Sequence, residues 1–556
     1  MPSRGALFQT VANAPKHRSI HNKSQQRVFT GEFGQLIPIY VQPMLPGETF
    51  KITFDGVVRF SPLMAPVMHE LNLFTHYFFV PYRILWDEWE EFITGGEDGQ
   101  NASEQPELSQ QEMIDHWTKG SLLDFLYGTL IQNPDGNYDN RPNKWPLMAY
   151  NKIYNDYYRD ENLIEEIDIE TTFKIQNRAW MKDYFTAALP FQQRGISPAM
   201  PIHIENATLA PADDIFPGYI DTMARGSIPP SGIPQFDPAK IRNIDTNSPP
   251  NMTGYGVWSS EAGGTLFPST AANLTLSASV PLTNATMLSI ASRLKVDLDV
   301  ISDWDINDLR TAWQTQRFLE AMARIGVRYT EYLQGIWNVN VRDERLQRPE
   351  YIGGTKQPII ISEVLQTSEQ TTPDNPLGRM AGHGITAAST RVGTYTAKEW
   401  GVCIGILSVM PKPAYSQGMP KYWMAKTRFD YPNPYFMHLS EQPVLQGELY
   451  YTGKKAQDEI PHGFEGIWDE YRVAHDSIHG LMRDDFSHWH LAREFGSAPT
   501  LSQTFIECDA ITGGALNPLK RIFQVPSEPG LFITSGTRCT AYAPLPFIAE
   551  PGLVDH

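Results

Sequence analysis

The tightest constraint on this chain is its punctuation: short runs of β-branched and aromatic residues, each cut off by proline or glycine. LIPIYVQPMLPGETFKITFDGVVRF, starting at Leu36, alternates such runs with a Pro-Gly turn. Runs of this length between turn residues read as strands, because branched and aromatic side chains pack on a pleated sheet while Pro and Gly end it. LNLFTHYFFVPYRILW follows from Leu71 and is aromatic on both parities, the pattern of a strand buried on both faces. WGVCIGILSVM, from Trp400 to Met410, is the longest apolar run. It is too short to cross a bilayer and is rich in β-branched residues, so it also reads as a buried strand. QPIIISEVL and LFITSGTRCTAY carry the pattern toward the other end of the chain. No repeat of fixed period interrupts it. Strands near both ends, with helices and an insertion between them, predict a single β-sandwich that closes late in the sequence.

Helices are signalled at three places. Ser109 with Glu112 forms a capping box ahead of Ile114, Trp117, Leu122 and Leu126. Pro146 sits at a first helical position ahead of Leu147, Tyr150, Tyr154, Tyr157 and Tyr158. Ser302 and Asp303 can cap a longer amphipathic helix with Ile306, Leu309, Trp313, Leu319, Met322 and Ile325 on one broad face. The segment between the last two helices, residues 200–300, is poor in charge and rich in Pro, Ser, Thr, Ala, Asn and Gly. It is far longer than the usual connection of about 4–6 residues. Tyr219, Phe236, Tyr255 and Trp258 within it argue against a fully solvated linker. The expected organisation is therefore an arm at 1–30, a first part of the sandwich with helical insertions at 31–199, the low-charge insertion at 200–300, and the remaining strands, helix and tail at 301–556.

Charge separates the arm from the rest. The chain carries a net charge of −18, so most of it repels phosphates and anionic membranes. Yet Arg4, Lys16, Arg18, Lys23 and Arg27 all precede the first acidic residue, Glu32. With few apolar residues, this arm cannot fold alone. Lysine and arginine neutralise phosphates without needing a fold, so these five residues are the candidates for DNA contact, sequence-independent and salt-sensitive. The alternatives are a solubilising tail or an arm that pairs with a neighbouring subunit. Replacing Lys16, Arg18, Lys23 and Arg27 with alanine is expected to leave the subunit fold intact while reducing genome retention.

Signals for catalysis are weak. There is no Walker A sequence and no dinucleotide glycine fingerprint. No G-x-S-x-G elbow occurs. His475 and His479 have the i, i+4 spacing of a zinc helix, but Asp476 stands where a zinc protease needs glutamate. His488 and His490 flank Trp489 and would share a face of a strand. Adjacent carboxylates such as Glu90–Glu91, Glu165–Glu166 and Asp484–Asp485 read as solvated charge, not as a pair placed across a substrate. Cys403, Cys508 and Cys539 are scattered and odd in number, which is neither a disulfide framework nor a zinc spacing and fits a reducing compartment. The N-terminal sequence has no apolar core of a signal peptide. No catalytic residue, metal, cofactor or membrane partner is expected. A β-sandwich glycoside hydrolase is the enzymatic alternative, supported by little beyond abundant aromatics.

The long blocks of the chain are more specific than any motif. HNKSQQRVFTGEFGQLIPIYVQPMLPGETFKI from His21, MHELNLFTHYFFVPYRILWDEWEEF and LMAYNKIYNDYYRDENL open it. LRTAWQTQRFLEAMARIGVRYTEYLQ and DERLQRPEYIGG lie in the middle; MAKTRFDYPNPYFMHLSEQPVLQGELY, DDFSHWHLAREF and PGLVDH close it. In this order they resemble the major capsid proteins of the Microviridae, in the gokushovirus branch. The resemblance implies a mainly β protein, an eight-stranded viral jelly roll with large helical and loop insertions. It implies self-assembly into a homo-oligomeric T=1 icosahedral shell of about 60 copies around circular single-stranded DNA. It also implies a small basic DNA-associated protein, an internal scaffolding protein, a DNA pilot protein and a host cell-surface receptor as partners. By the same analogy the 200–300 insertion builds a protrusion at the three-fold axis, with Tyr219, Phe236, Tyr255 and Trp258 as its candidate aromatic contacts. A host-recognition spike that forms small closed oligomers is the second non-enzymatic reading. Candidate contacts between copies are the aromatic stretch Tyr77–Trp89, the helix Trp304–Ile325 and the tail from Pro544, although the helix, with its wide apolar face, reads rather as core.

Overall fold

A computed structural model describes residues 18–96, 103–130, 138–198, 203–211, 294–301, 306–365 and 380–547. The chain divides into two compact units, one of Met1–Gly195 with Leu319–His556 and one of Ile196–Phe318.

The first unit is built on two antiparallel sheets. Its strands are β1 (Ser19–Asn22), β2 (Gln25–Gly31), β3 (Ile37–Met44), β4 (Thr49–Phe60) and β5 (Leu71–Pro81). Further on come β8 (Glu350–Pro358), β9 (Ile360–Leu365), β10 (Met380–Thr396), β11 (Gly401–Pro411) and the closing β14 (Leu531–Ala543). Of the intervening strands, β6 (His203–Pro211) and β7 (Leu294–Ile301) pair antiparallel in the second unit, and β12 (Glu441–Leu445) and β13 (Pro461–Gly466) form a small ribbon in the first. One main sheet has six strands in the order β1–β14–β4–β10–β9, with β2 beside β1 on the same edge of β14. The other has four, β3–β11–β5–β8.

Side-chain parity explains how the sheets stack. On β4, Phe50, Ile52, Phe54, Val58 and Phe60 point inward, and Ile533, Cys539 and Ala541 do so on β14. They meet Tyr40, Tyr77, Phe79, Cys403 and Leu407 from the four-stranded sheet in one buried cluster. A hydrogen bond of 2.8 Å between Tyr77 Oη and Thr537 Oγ1 ties the inner faces together. The outer face of the four-stranded sheet is also covered. Phe78, Val80, Val402, Ile404 and Ile406 pack under α1 (Trp89–Thr94), α2 (Gln110–His116), α3 (Leu122–Tyr127) and α4 (Trp145–Ile153). Hence β11 is buried at every position and β5 at nearly every one, as their uninterrupted apolar sequences require.

The local helix signals act as read, with one change of extent. Ser109 Oγ accepts the Glu112 N–H, and Glu112 Oε2 accepts the Ser109 N–H at 2.8 Å. The helix nevertheless stops at His116, and a second, capped by Ser121, begins at Leu122. Pro146 lies in the first turn of α4, and Tyr150 Oη donates to the Leu36 carbonyl at 2.8 Å.

The N-terminal boundary needs correction. Residues from Ser19 onward are not part of a separate arm but two strands on β14, with Ser19 opposite Ala543 and Gly31 opposite Leu531. The segment cannot fold alone, but it has a partner about 500 residues away in sequence that no local window detects. The boundaries of the insertion also differ: the second unit extends through Phe318 and takes in the first part of helix α5 (Ile306–Ile325).

Candidate interaction surfaces

The cations of the N-terminal segment fall into three groups. Arg4 and Lys16 lie outside the described residues. Arg18 is exposed just ahead of β1. Lys23 and Arg27 are engaged inside the subunit. Lys23 Nζ lies 2.7 Å from Glu48 Oε1 and 4.8 Å from the centre of the Phe50 ring. Arg27 donates to the Phe125 carbonyl at 2.6 Å, and burial lowers the pKa of its guanidinium. The expectation that alanine at Lys16, Arg18, Lys23 and Arg27 together spares the fold is therefore corrected. Lys23 compensates a carboxylate that is 0 % exposed, and Arg27 pins β2 to α3. No sequence signal separated these two from Arg18, since the glutamate in PGETF reads as a turn residue.

The protrusion candidates Tyr219, Phe236, Tyr255 and Trp258 lie outside the described residues, as do Ser302, Asp303 and Trp304. The histidines are placed individually. His475 packs its ring on Phe185 and Tyr415 in an irregular segment, so His475 and His479 do not share a helix face. Ser487–Trp489 is a short 3-10 turn rather than a strand. His490 is buried, its Nε2–H donating to the Met482 carbonyl at 2.7 Å while Nδ1 accepts the Ala492 N–H at 3.1 Å. That pattern fixes the neutral imidazole, and burial lowers its pKa. Among the described residues no group of three or more His, Cys, Asp or Glu side chains is placed to hold a metal. Glu90, Glu91, Glu165, Glu166, Asp484 and Asp485 are exposed. Cys403, Cys508 and Cys539 are buried free thiols, and burial raises all three pKa values.

The exposed apolar surface is more informative. Of the aromatic stretch Tyr77–Trp89, Tyr77, Phe78, Phe79 and Trp89 are core. Helix α5, whose broad apolar face reads from sequence as core, instead exposes Leu309, Phe318 and Trp313, the last at 64 %. Helix α6 (Tyr329–Trp337) exposes Tyr329 and Trp337. Between β11 and β12 the loop exposes Phe429, Tyr431, Met437 and Leu439, with Trp423 at 73 % and Tyr435 at 90 %. Scattered apolar residues are ordinary, but a crowd of aromatics on one loop is the composition enriched at interaction surfaces. Periodicity cannot separate a face buried by its own chain from one buried by another.

Sandwiched antiparallel sheets, a covered helical flank and aromatic loops describe a structural building block, and the comparisons place it in the class of virion capsid proteins. Residues 9–553 match the family described as Capsid protein (F protein), and the chain belongs to that family. It is 29% identical to Capsid protein VP1 of Chlamydia phage 1 over 98% of this chain and 97% of that protein. It is 31% identical to Capsid protein VP1 of Bdellovibrio phage phiMH2K over 90% of each. Against Capsid protein VP1 of Spiroplasma virus 4 it is 28% identical, over 94% of this chain and 92% of the other. The chain is thus a major capsid protein of the gokushovirus-like Microviridae, a structural component of the virion that works in multiple copies. No helix among the described residues is long and apolar enough to cross a membrane.

Proposed function

We propose that this protein assembles into a T=1 icosahedral shell enclosing a circular single-stranded DNA genome, and that its core is an eight-stranded viral jelly roll. The strand order supports the second point. Removing the edge strands β1 and β9 leaves β2–β14–β4–β10 facing β3–β11–β5–β8, the arrangement that two interleaved Greek keys produce. The observation that carries the first point is the aromatic surface of α5, α6 and the loop from Trp423 to Leu439. A subunit with such surfaces hides them against identical copies through heterologous contacts that close into rings. The 200–300 insertion builds the three-fold protrusion and meets the host receptor. A small basic DNA-associated protein, an internal scaffolding protein and a DNA pilot protein complete the particle.

Electron microscopy of purified protein tests this reading. Uniform, closed, DNA-containing icosahedral particles are expected. Small closed oligomers would point to a spike instead, and a stable monomer with water on those loops would refute both.

A further inference from the structure

One arginine in the first unit has aromatic rings around it and no anion. Arg178 lies in an irregular segment whose backbone is held on two sides: its N–H donates to the Gly34 carbonyl at 2.7 Å, and its carbonyl accepts the Cys508 N–H at 2.9 Å. The side chain reaches over β5 on the face that also carries His76 and Phe78. Its guanidinium carbon stands 4.1 Å from the centre of the Phe74 ring and 5.9 Å from that of Tyr158. Nη1 donates to Ser408 Oγ at 3.0 Å. Among the described residues this is the only hydrogen bond of the side chain, and no ion pair involves it. Burial lowers the pKa of Arg178, yet a guanidinium stays charged at neutral pH. Contact with ring faces recovers only part of what it costs to take such a cation out of water.

Beside Arg178 opens a cavity of about 560 Å³. Pockets that hold small molecules fall in the same range. Its walls are rings: His76 and Phe78 on β5, Tyr351 on β8, and Tyr157 and Tyr158 from the π-helical turn Tyr154–Tyr158. That wide turn brings two consecutive tyrosines onto Phe78, with ring centres 4.7 and 6.2 Å away. Tyr351, 48 % exposed, is the ring most open to solvent. His76 Nδ1 lies 2.7 Å from Tyr158 Oη, and Nε2 has no hydrogen bond among the described residues. Burial and the Arg178 charge hold His76 down to about 4, so at pH 7 it is neutral. The other charged groups of the lining are paired already, Lys182 with Asp160 at 2.6 Å and Asp343 with Arg348 at 3.2 Å.

We infer that this cavity binds a small aromatic carboxylate, with its carboxylate on Arg178 and its ring among Phe78, Tyr157 and Tyr351. The charge count selects the anion. One unpaired guanidinium presents a planar fork that matches the two oxygens of a carboxylate. A phosphate monoester brings nearly two negative charges at pH 7, and Asp343 in the same lining repels the second. A neutral hydrocarbon would cover Arg178 without giving it a partner. A bound acid joins β5, β8, the π-helical turn and the segment around Arg178, so it stabilises the subunit in proportion to its occupancy. The site depends neither on shell closure nor on the genome.

The test is calorimetric titration of the full-length chain with indole-3-acetate and with 4-hydroxyphenylacetate. Saturable binding at one site per subunit is expected. The neutral analogue indole-3-acetamide should bind at least about tenfold more weakly, because it forfeits a charge-assisted hydrogen bond. Arg178→Gln should lose a similar factor. Since Arg178 also holds Phe74 and Ser408, Tyr351→Ala supplies a second variant: it removes an exposed ring, should keep the wild-type urea midpoint and should weaken binding at least about threefold. Lys182→Gln, whose ammonium is already paired, should bind as wild type does. No saturable binding of either acid below about 10 mM overturns the inference. So does an amide that binds as tightly as its acid, wild-type affinity in Tyr351→Ala, or lost affinity in Lys182→Gln. Tighter binding of dTMP or inorganic phosphate than of the two acids would also overturn it, by showing a phosphate site instead.

Discussion

Replacing Lys23 with alanine should destabilise the subunit by about 3–5 kcal/mol, the usual effect of stranding a buried charge. Glu48 is 0 % exposed and its Oε1 lies 2.7 Å from Lys23 Nζ, while Oε2 accepts the Leu45 N–H at 3.0 Å. At an effective dielectric of about 20, two unit charges at that separation attract by roughly 6 kcal/mol. Much of this is offset by desolvating both groups, so the pair itself contributes little net stability. Alanine removes the attraction and leaves the desolvated carboxylate. It also removes the ammonium from the Phe50 ring, worth about 0.5–1 kcal/mol. Arg18→Ala, at an exposed position five residues earlier, should change stability by no more than about 0.5 kcal/mol. Urea unfolding of dissociated subunits, followed by tryptophan fluorescence, measures both. Adding Glu48→Gln to Lys23→Ala should recover at least half of the loss, because the neutral amide needs no counter-ion. If Lys23→Ala unfolds within about 1 kcal/mol of wild type, or Glu48→Gln restores nothing, the buried-pair reasoning is wrong.

Three further outcomes can be checked in the same assay. Gly34 has φ +84° and a Cβ there would lie 1.8 Å from the Cys508 carbonyl oxygen, so Gly34→Ala should cost more than about 4 kcal/mol or give insoluble protein; soluble protein of wild-type stability would refute the packing described. Tyr77→Phe deletes the hydrogen bond between the sheets and strands the buried Thr537 hydroxyl, for a loss of about 1–2 kcal/mol that an unchanged midpoint would contradict. Glu448 is buried, which pushes its carboxyl up to about 7. The folded state therefore holds a proton that the unfolded chain releases near pH 4.5, and stability falls as pH rises from about 4.5 to 7. Glu448→Gln should remove that fall, with a gain at pH 8 of at most roughly 3 kcal/mol and little change at pH 4, and equal effects at both pH values would count against it.

Much of the sandwich was legible because strand burial leaves a local signature. LFITSGTRCTAY alternates, and β14 has one face in the core and one in water. LNLFTHYFFVP and GVCIGILSVMP do not alternate, and both lie between the inner core and the helices. Pairing was not legible. Nothing near QQRVFTG announces that it belongs beside residues 531–537, so its arginine looked like a free cation. The amphipathic helix was legible as a helix, but not as one exposing Trp313, since the 3.6-residue period is the same whether the apolar stripe meets its own chain or another. The row of cations on the outer face of the six-stranded sheet was invisible for a similar reason. Lys51, Arg59, Arg391 and Arg538 are scattered in sequence and become neighbours only through strand register.

β14 is the last described strand to be synthesised, yet it sits between β2 and β4, which are among the first. Until residue 543 clears the ribosome, the early strands have backbone edges with no slat to fill the gap between them. Such open edges recruit other chains. The nascent polypeptide must therefore wait with its first strands unpaired through most of its translation, a state open to association with other chains. The same delay acts as a timer: no copy can offer a finished wall to its neighbours before its own synthesis is nearly complete.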